Sequence, residues 1–125
     1  MSVFAKLAAL PMIVAACDPG PVNAVKGFYR SVAADKFTTA AEHLPKDLRD
    51  RGETYLEPTL AFQRDEITRC GGIKSMDIKL VKPEGQDSLR TGSVVLSFKG
   101  VCDPREDQMT VVRDDRGWRL QLAWW

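Results

Sequence analysis

The chain has a single histidine, His43, and only three cysteines, and it carries no excess of either charge, with 18 basic and 17 acidic side chains in 125 residues. One histidine leaves any metal site short of ligands, because protein zinc draws several ligands from cysteine and histidine together. Balanced charge means that no broad field draws the chain to nucleic acid or to an anionic surface. Long apolar runs are missing too. No stretch approaches the ~18 residues that a membrane-spanning helix requires, and no internal repeat or low-complexity tract points to a solenoid or a disordered tail. What is present is an ordinary globular composition, 44% hydrophobic and 28% charged. The length accommodates one domain with a real core and is too short for two.

The amino terminus reads differently from the rest. Lys6 precedes an apolar run, Leu7 to Ala16, that ends in small residues and is followed by Cys17-Asp18-Pro19-Gly20. A short basic start, a short apolar centre and a small-residue ending are the pattern of a secretory signal. Val14-Ala15-Ala16-Cys17 further resembles the lipobox of bacterial lipoproteins. That resemblance implies cleavage before Cys17, lipidation of its sulfur and acylation of the new amino group. Several acyl chains, each burying methylenes at about 0.8 kcal/mol apiece, give a stable anchor where one chain does not. Asp18 resembles the signal that retains such proteins in the inner membrane, so the expected location is the periplasmic face of that membrane. The expected organisation is a signal peptide at 1–16, a lipidated tether at 17–20 and one domain at 21–125. Lys6 leaves with the signal, and the remaining chain then carries equal numbers of acids and bases.

Beyond the tether the apolar period is three and four. Val22, Val25, Phe28, Tyr29 and Val32 form one stripe and predict a helix from about Pro21 to Ala34. Asp35 is placed to cap a second short helix through Phe37, Ala40, Ala41, Leu44 and Leu48, with Pro45 marking a break or a fresh start. Thr54 is placed to cap a third helix at about 55–69, with Leu56, Leu60, Gln63 and Ile67 on one face and Pro58 tolerated in its first turn.

After Gly71-Gly72 the period becomes two. Met76, Ile78 and Leu80 alternate with polar residues, as do Val94, Leu96 and Phe98, and the PEGQDS segment between them is a turn cluster. An antiparallel hairpin centred near Gln86 superimposes the two apolar faces by pairing Met76 with Leu96, Ile78 with Val94 and Lys74 with Phe98. The same register sets Cys70 opposite Cys102. Opposed ladder positions are close enough for a disulfide, and an exported domain lives where disulfides persist. A second hairpin turns at DDRG. A two-residue turn would bring Met109 and Val111 to the core, a bulged turn Thr110 and Val112, and the sequence leaves that register open. Alternation places Trp118, Leu120, Leu122 and Trp124 on one face and Trp125 on the other, either as a recognition surface or packed at the rim.

Helices followed by four strands, the CGGIKSM entry into the sheet and the DDRGWRLQL hairpin together resemble small bacterial lipoproteins of the cystatin-like, nuclear-transport-factor-two-like superfamily, including a family formerly labelled lumazine-binding-like. The resemblance spans residues 21–125. It implies an α+β cone in which N-terminal helices pack on a curved four-stranded antiparallel sheet and whose open end can be a pocket. Such folds host isomerases and dehydratases as well as binding domains, so the fold does not choose the function. Catalysis would need an acid or base inside the cone with a polar partner. Tyr29, His43 and Asp77 are the residues to inspect, and none is assigned a catalytic role; the KDLRDRGE and DPREDQ segments read as solvated loops. No metal or cofactor is expected. The leading expectation is a lipid-anchored envelope module that binds a protein partner or a small apolar ligand and no nucleic acid. A small isomerase or dehydratase and an envelope immunity or exclusion factor are the alternatives.

Overall fold

A computed structural model describes residues 19–125; the signal, Cys17 and Asp18 lie outside the described residues. Four helices precede four strands: α1 (Pro19–Ala33), α2 (Phe37–Ala41), α3 (Lys46–Arg49) and α4 (Glu53–Arg69), then β1 (Ile73–Val81), β2 (Leu89–Phe98), β3 (Arg105–Asp114) and β4 (Gly117–Leu122). The strands form one antiparallel sheet in sequence order, so β1 and β4 are its two edges. α1 crosses the sheet and also touches α2 and α4. Its stripe is buried as the period requires, with Val25, Phe28, Tyr29 and Val32 sealed from solvent against Val94, Leu96, Val111 and Leu120. Together they form one core between the helices and one face of the sheet.

The helix ends depart from the expected caps for physical reasons. Asp35 does not cap the second helix: it sits at φ +64 and terminates the first. The Lys36 N–H donates to Ser31 O at 2.8 Å and the Asp35 N–H to Val32 O at 3.1 Å, the bonding pattern of a left-handed helix stop, which aspartate tolerates better than most residues. Its carboxylate is then free to pair with Arg64 on α4. The second helix is two, because Pro45, having no N–H, stops one and serves as the N-cap of the next. α4 starts at Glu53 behind Gly52 at φ +83. Thr54 therefore lies inside the helix and caps nothing, and Pro58 falls in the second turn on an exposed side.

The first hairpin has the expected register from Ser75 onward, with Met76 opposite Leu96 and Ile78 opposite Val94. It slips at the start. Ile73, not Lys74, faces Phe98, and Lys74 is the extra residue of a bulge. Regular alternation would have put Lys74 on the apolar face with Met76 and Ile78; the bulge turns it out to solvent. Gly92, opposite Leu80, is obligatory, because a Cβ there would lie 1.9 Å from Lys79 O. The last hairpin closes through the two-residue turn Asp115-Arg116, with Asp114 opposite Gly117 and Val111 opposite Leu120, so Met109 and Val111 are the core residues.

Cys70 and Cys102 are joined, their Cα atoms 5.4 Å apart. Their setting is not the regular ladder, however, since Cys70 is the C-cap of α4 and Cys102 lies in the loop before β3. Two backbone bonds extend the hairpin toward them: Lys99 N–H donates to Gly72 O at 3.0 Å and Gly100 N–H to Cys70 O at 2.9 Å. Gly71, at φ +85, and Gly100 permit this approach, because a Cβ on Gly71 would meet Gly100 N at 2.8 Å.

Candidate functional site

Among the described residues, one charged cluster reaches into the core between helices and sheet. Asp107 is 9% exposed and points from β3 into the core. The Tyr29 hydroxyl, on α1, donates to its Oδ2 at 2.5 Å, and Arg105 Nη2 donates to the same oxygen at 2.9 Å. Burial, reinforced by the neighbouring carboxylate, pushes the Tyr29 phenol far above its ordinary value of 10.0. Tyrosine is thereby held neutral and acts as a donor. Phe28 packs edge-on to Tyr29, ring centroids 5.3 Å apart, and Trp124 closes over both at 5.7 and 6.4 Å. The buried acid thus has two protein partners, one of which is packed among aromatic rings.

Of the three residues singled out in the sequence, only Tyr29 belongs to this cluster. Asp77 is exposed on β1, on the face away from the core. His43 is half-buried after α2; its carbonyl accepts the Leu120 N–H at 2.7 Å, and its ring lies where a Cβ on Gly27 would meet Nε2 at 2.8 Å. It ties the helical layer to β4. Asp107 and Arg105 stand in a charged segment that reads as a loop in the sequence and is the start of β3 in the structure. The signal was there in the alternation of Asp107 with Met109 and Val111.

Burial, then the Arg119 guanidinium, lowers the His43 pKa from 6.5, while Glu42 opposes the change. A histidine whose folded pKa is depressed supports the fold fully above its unfolded value and loses that contribution as pH falls through about 6.5 and below. Melting temperatures recorded from pH 7 down to 5 are expected to fall less steeply for His43→Gln than for the parent; parallel curves would refute the assignment.

The aromatic carboxyl end differs from its sequence reading. β4 stops at Leu122, so alternation does not extend to Trp124 and Trp125. Trp125 is not on the opposite face but stacks on Trp124, centroids 5.3 Å apart, and is half-buried. Trp118, expected in the core, is half-buried beneath the guanidiniums of Arg90 and Arg113, at 4.9 and 5.4 Å from its ring. Trp125 lines a surface cleft of about 370 Å³ with Pro45, Leu48, Tyr55 and Arg51. Tyr55 is 41% exposed, Arg51 lies 4.7 Å over its ring, and the Trp125 Nε1 is buried without an acceptor. A larger cleft, about 550 Å³, separates α2 from α4; on its wall Arg64 bonds Asp35 and Asp65 and covers Phe37 at 5.3 Å. Among the described residues no group of three or more histidine, cysteine, aspartate and glutamate side chains is arranged to hold a metal ion, and no helix is long and apolar enough to cross a membrane.

Helices packed on a four-stranded antiparallel sheet, with α1 in contact with both of its edge strands, form an α+β arrangement of the nuclear-transport-factor-two-like, or cystatin-like, kind. A crystal structure from Campylobacter jejuni described as an NTF2-like transpeptidase superimposes with a TM-score of 0.64 over 80% of this chain and 95% of that one, at 15% identity. At that identity the likeness is one of fold. No protein-family model and no curated protein matches the chain.

Proposed function

We propose that the protein is a lipid-anchored component of a bacterial envelope, at the periplasmic face of the inner membrane, whose domain is a protein-interaction module. The observation that carries this reading is the contrast between the inside and the outside of the cone. Inside, Asp107 is already bonded to Tyr29 and paired with Arg105, and Tyr29 is packed among aromatic rings. Outside, Trp125 and Tyr55 present rings in an open cleft beside a cation. Aromatic and arginine side chains in a partly desolvated pocket are the residues that dominate protein contacts. The anchor rests on the lipobox-like ending at Cys17, which stands two residues before α1.

The transpeptidase label of the Campylobacter structure is not transferred. Acyl transfer needs a nucleophile activated by a base, and the two described cysteines, joined to each other, do not supply one. An isomerase or dehydratase reading has Asp107 in its favour, since it is an acid facing into the cone beside a hydroxyl. That reading requires substrate to displace the Tyr29 and Arg105 bonds.

Two measurements on membranes of the producing cell test the proposal. Intact mass is expected to give a chain that begins at Cys17 and carries acyl groups; a mass beginning at Met1 removes the anchor. A photo-crosslinking residue at position 55 is expected to give one discrete protein adduct that Trp125→Ala abolishes. Labelling that is diffuse or indifferent to Trp125 removes the cleft as the contact site.

A further inference from the structure

Overall neutrality conceals a local imbalance. α1 contains Lys26 and Arg30 and no acidic residue. Where it runs beside β1, the two elements frame a cleft of about 480 Å³ whose lining includes Lys26, Arg30 and Lys74, with Ala33, Ala34 and Ser75 and no acid. The side chains of the three cations take part in no ion pair or hydrogen bond among the described residues. Lys74 is there because of the bulge, which removes it from the core face of β1. Lysine on an edge strand discourages strand-to-strand aggregation, but that role does not call for two more cations on the helix across the cleft.

We infer that this basic cleft is the face the domain lays on an anionic phospholipid surface, an inference that rests on the anchor at Cys17. α1 begins two residues past that cysteine, and an extended chain gains at most about 3.5 Å per residue, so the first turn stays within roughly 10 Å of the acyl chains. Along the helix axis, at about 1.5 Å per residue, Arg30 lies some 16 Å from Pro19. Charge is screened over about 8 Å at physiological salt. Lys26 and Arg30 therefore meet the surface together only when α1 lies along the bilayer. The β1 edge then faces down, and β4, the opposite edge of the sheet, carries the Trp125 and Tyr55 cleft outward. The acyl chains supply residence on the membrane; the cations set which way the domain faces.

The test uses the full chain with Cys17→Ser, which cannot be acylated, sedimented with vesicles of phosphatidylcholine alone or containing phosphatidylglycerol. Binding to the neutral vesicles is the baseline for residues 1–16. The expected result is a preference for the anionic vesicles that disappears at high salt. Each cation near such a surface strengthens binding about fivefold, so Lys26→Gln/Arg30→Gln/Lys74→Gln is expected to lower affinity for the anionic vesicles about a hundredfold. Lys46→Gln/Arg113→Gln/Arg116→Gln, which removes the same charge on α3 and at the β3–β4 turn, away from the β1 edge, is expected to leave it nearly intact. Arg30→Gln alone, expected to lose about fivefold, carries the test if circular dichroism shows that the triple variant is unfolded. Equal binding by parent and cleft variant, or equal losses in both triple variants, overturns the inference. So does absence of anionic-vesicle binding in a protein that instead binds polyglutamate through these residues, which would assign an acidic polypeptide to the cleft. An unacylated Cys17 found by mass, with the vesicle result intact, would remove the anchor and leave the docking face standing.

Discussion

Asp107→Ala is expected to destabilise the fold by about 2–4 kcal/mol, because it strands a buried phenol and removes the counter-charge of Arg105 in one step. The Tyr29 hydroxyl is on a helix stripe with no exit to water, and its acceptor is the carboxylate 2.5 Å away. Arg105 has a different prospect. Its side chain is 30% exposed, so its guanidinium can turn toward solvent when Asp107 is lost, although its Nε is already buried without an acceptor. The penalty therefore falls mainly on the tyrosine. Tyr29→Phe leaves the Asp107 to Arg105 pair in place and is expected to cost about 1–2 kcal/mol, in the range for a hydrogen bond to a charged group. Tyr29→Phe combined with Asp107→Leu replaces both partners by apolar groups and should cost less than the sum of the single changes. Denaturant melts of the parent, Asp107→Ala, Asp107→Leu, Tyr29→Phe and the double variant measure this. A loss below about 0.5 kcal/mol for Asp107→Ala would mean that the carboxylate is solvated and the cluster is not part of the core.

The same bond sets the alkaline limit of the fold. Tyr29 has its pKa raised from 10.0 by burial and then by Asp107. A group whose folded pKa is raised contributes fully below its unfolded value and loses that contribution as pH rises past it. The parent should lose stability above about pH 10. Tyr29→Phe, starting lower, should lose less over the same interval.

Much of the architecture could be read from period alone. Period three and four placed Val25, Phe28, Tyr29 and Val32 in the core, and period two set Met76 opposite Leu96. Both patterns are repeated several times within one element, so a single exception does not blur them. What could not be read were single events. The bulge at Lys74 is one inserted residue, and Asp35 at positive φ is one torsion angle. Trp125 fails because alternation holds only while the strand lasts, and β4 ends at Leu122. The buried cluster was obscured for a different reason. Asp107 lies between Glu106 and Gln108, and charge density suggested solvent. Its inward orientation follows from Met109 and Val111, two and four residues on, once the two-residue turn fixes their face. Its partner is on α1, 78 residues away, and no local pattern announces a bond over that distance. The Cys70 to Cys102 pairing was legible despite an imperfect premise. The regular ladder stops short of both cysteines, and the bonds from Lys99 and Gly100 carry the two chains side by side to the bridge.

Removing that bridge is the other change with a large expected effect. The cysteines are 32 residues apart in sequence, and closing a loop of that size is worth about 3–4 kcal/mol in the chain-entropy model. For a domain of about this size the melting temperature of Cys70→Ala/Cys102→Ala should fall by roughly 15 °C. Under native conditions the bond should also resist reduction, for reasons that lie in its two ends. Cys102 is the accessible sulfur, but attack there expels Cys70 as a thiolate, and Cys70 is 5% exposed at the carboxyl end of α4, where the helix dipole and burial both oppose negative charge. The better leaving group is Cys102, whose sulfur has the Arg69 guanidinium 4.0 Å away, but expelling it requires attack on the buried sulfur. Each direction of exchange is blocked at one step, and rates of exchange depend on both access and leaving-group pKa. Intact mass after brief exposure to a monothiol is therefore expected to show the bridge retained in the folded protein and gained by two hydrogens once denaturant is added. Arg69→Gln should leave the native rate unchanged, because access to Cys70 rather than charge at Cys102 sets the barrier. Rapid reduction of the folded parent, or a melting temperature indifferent to the double substitution, would show that the bridge does not brace the junction of α4 with the sheet.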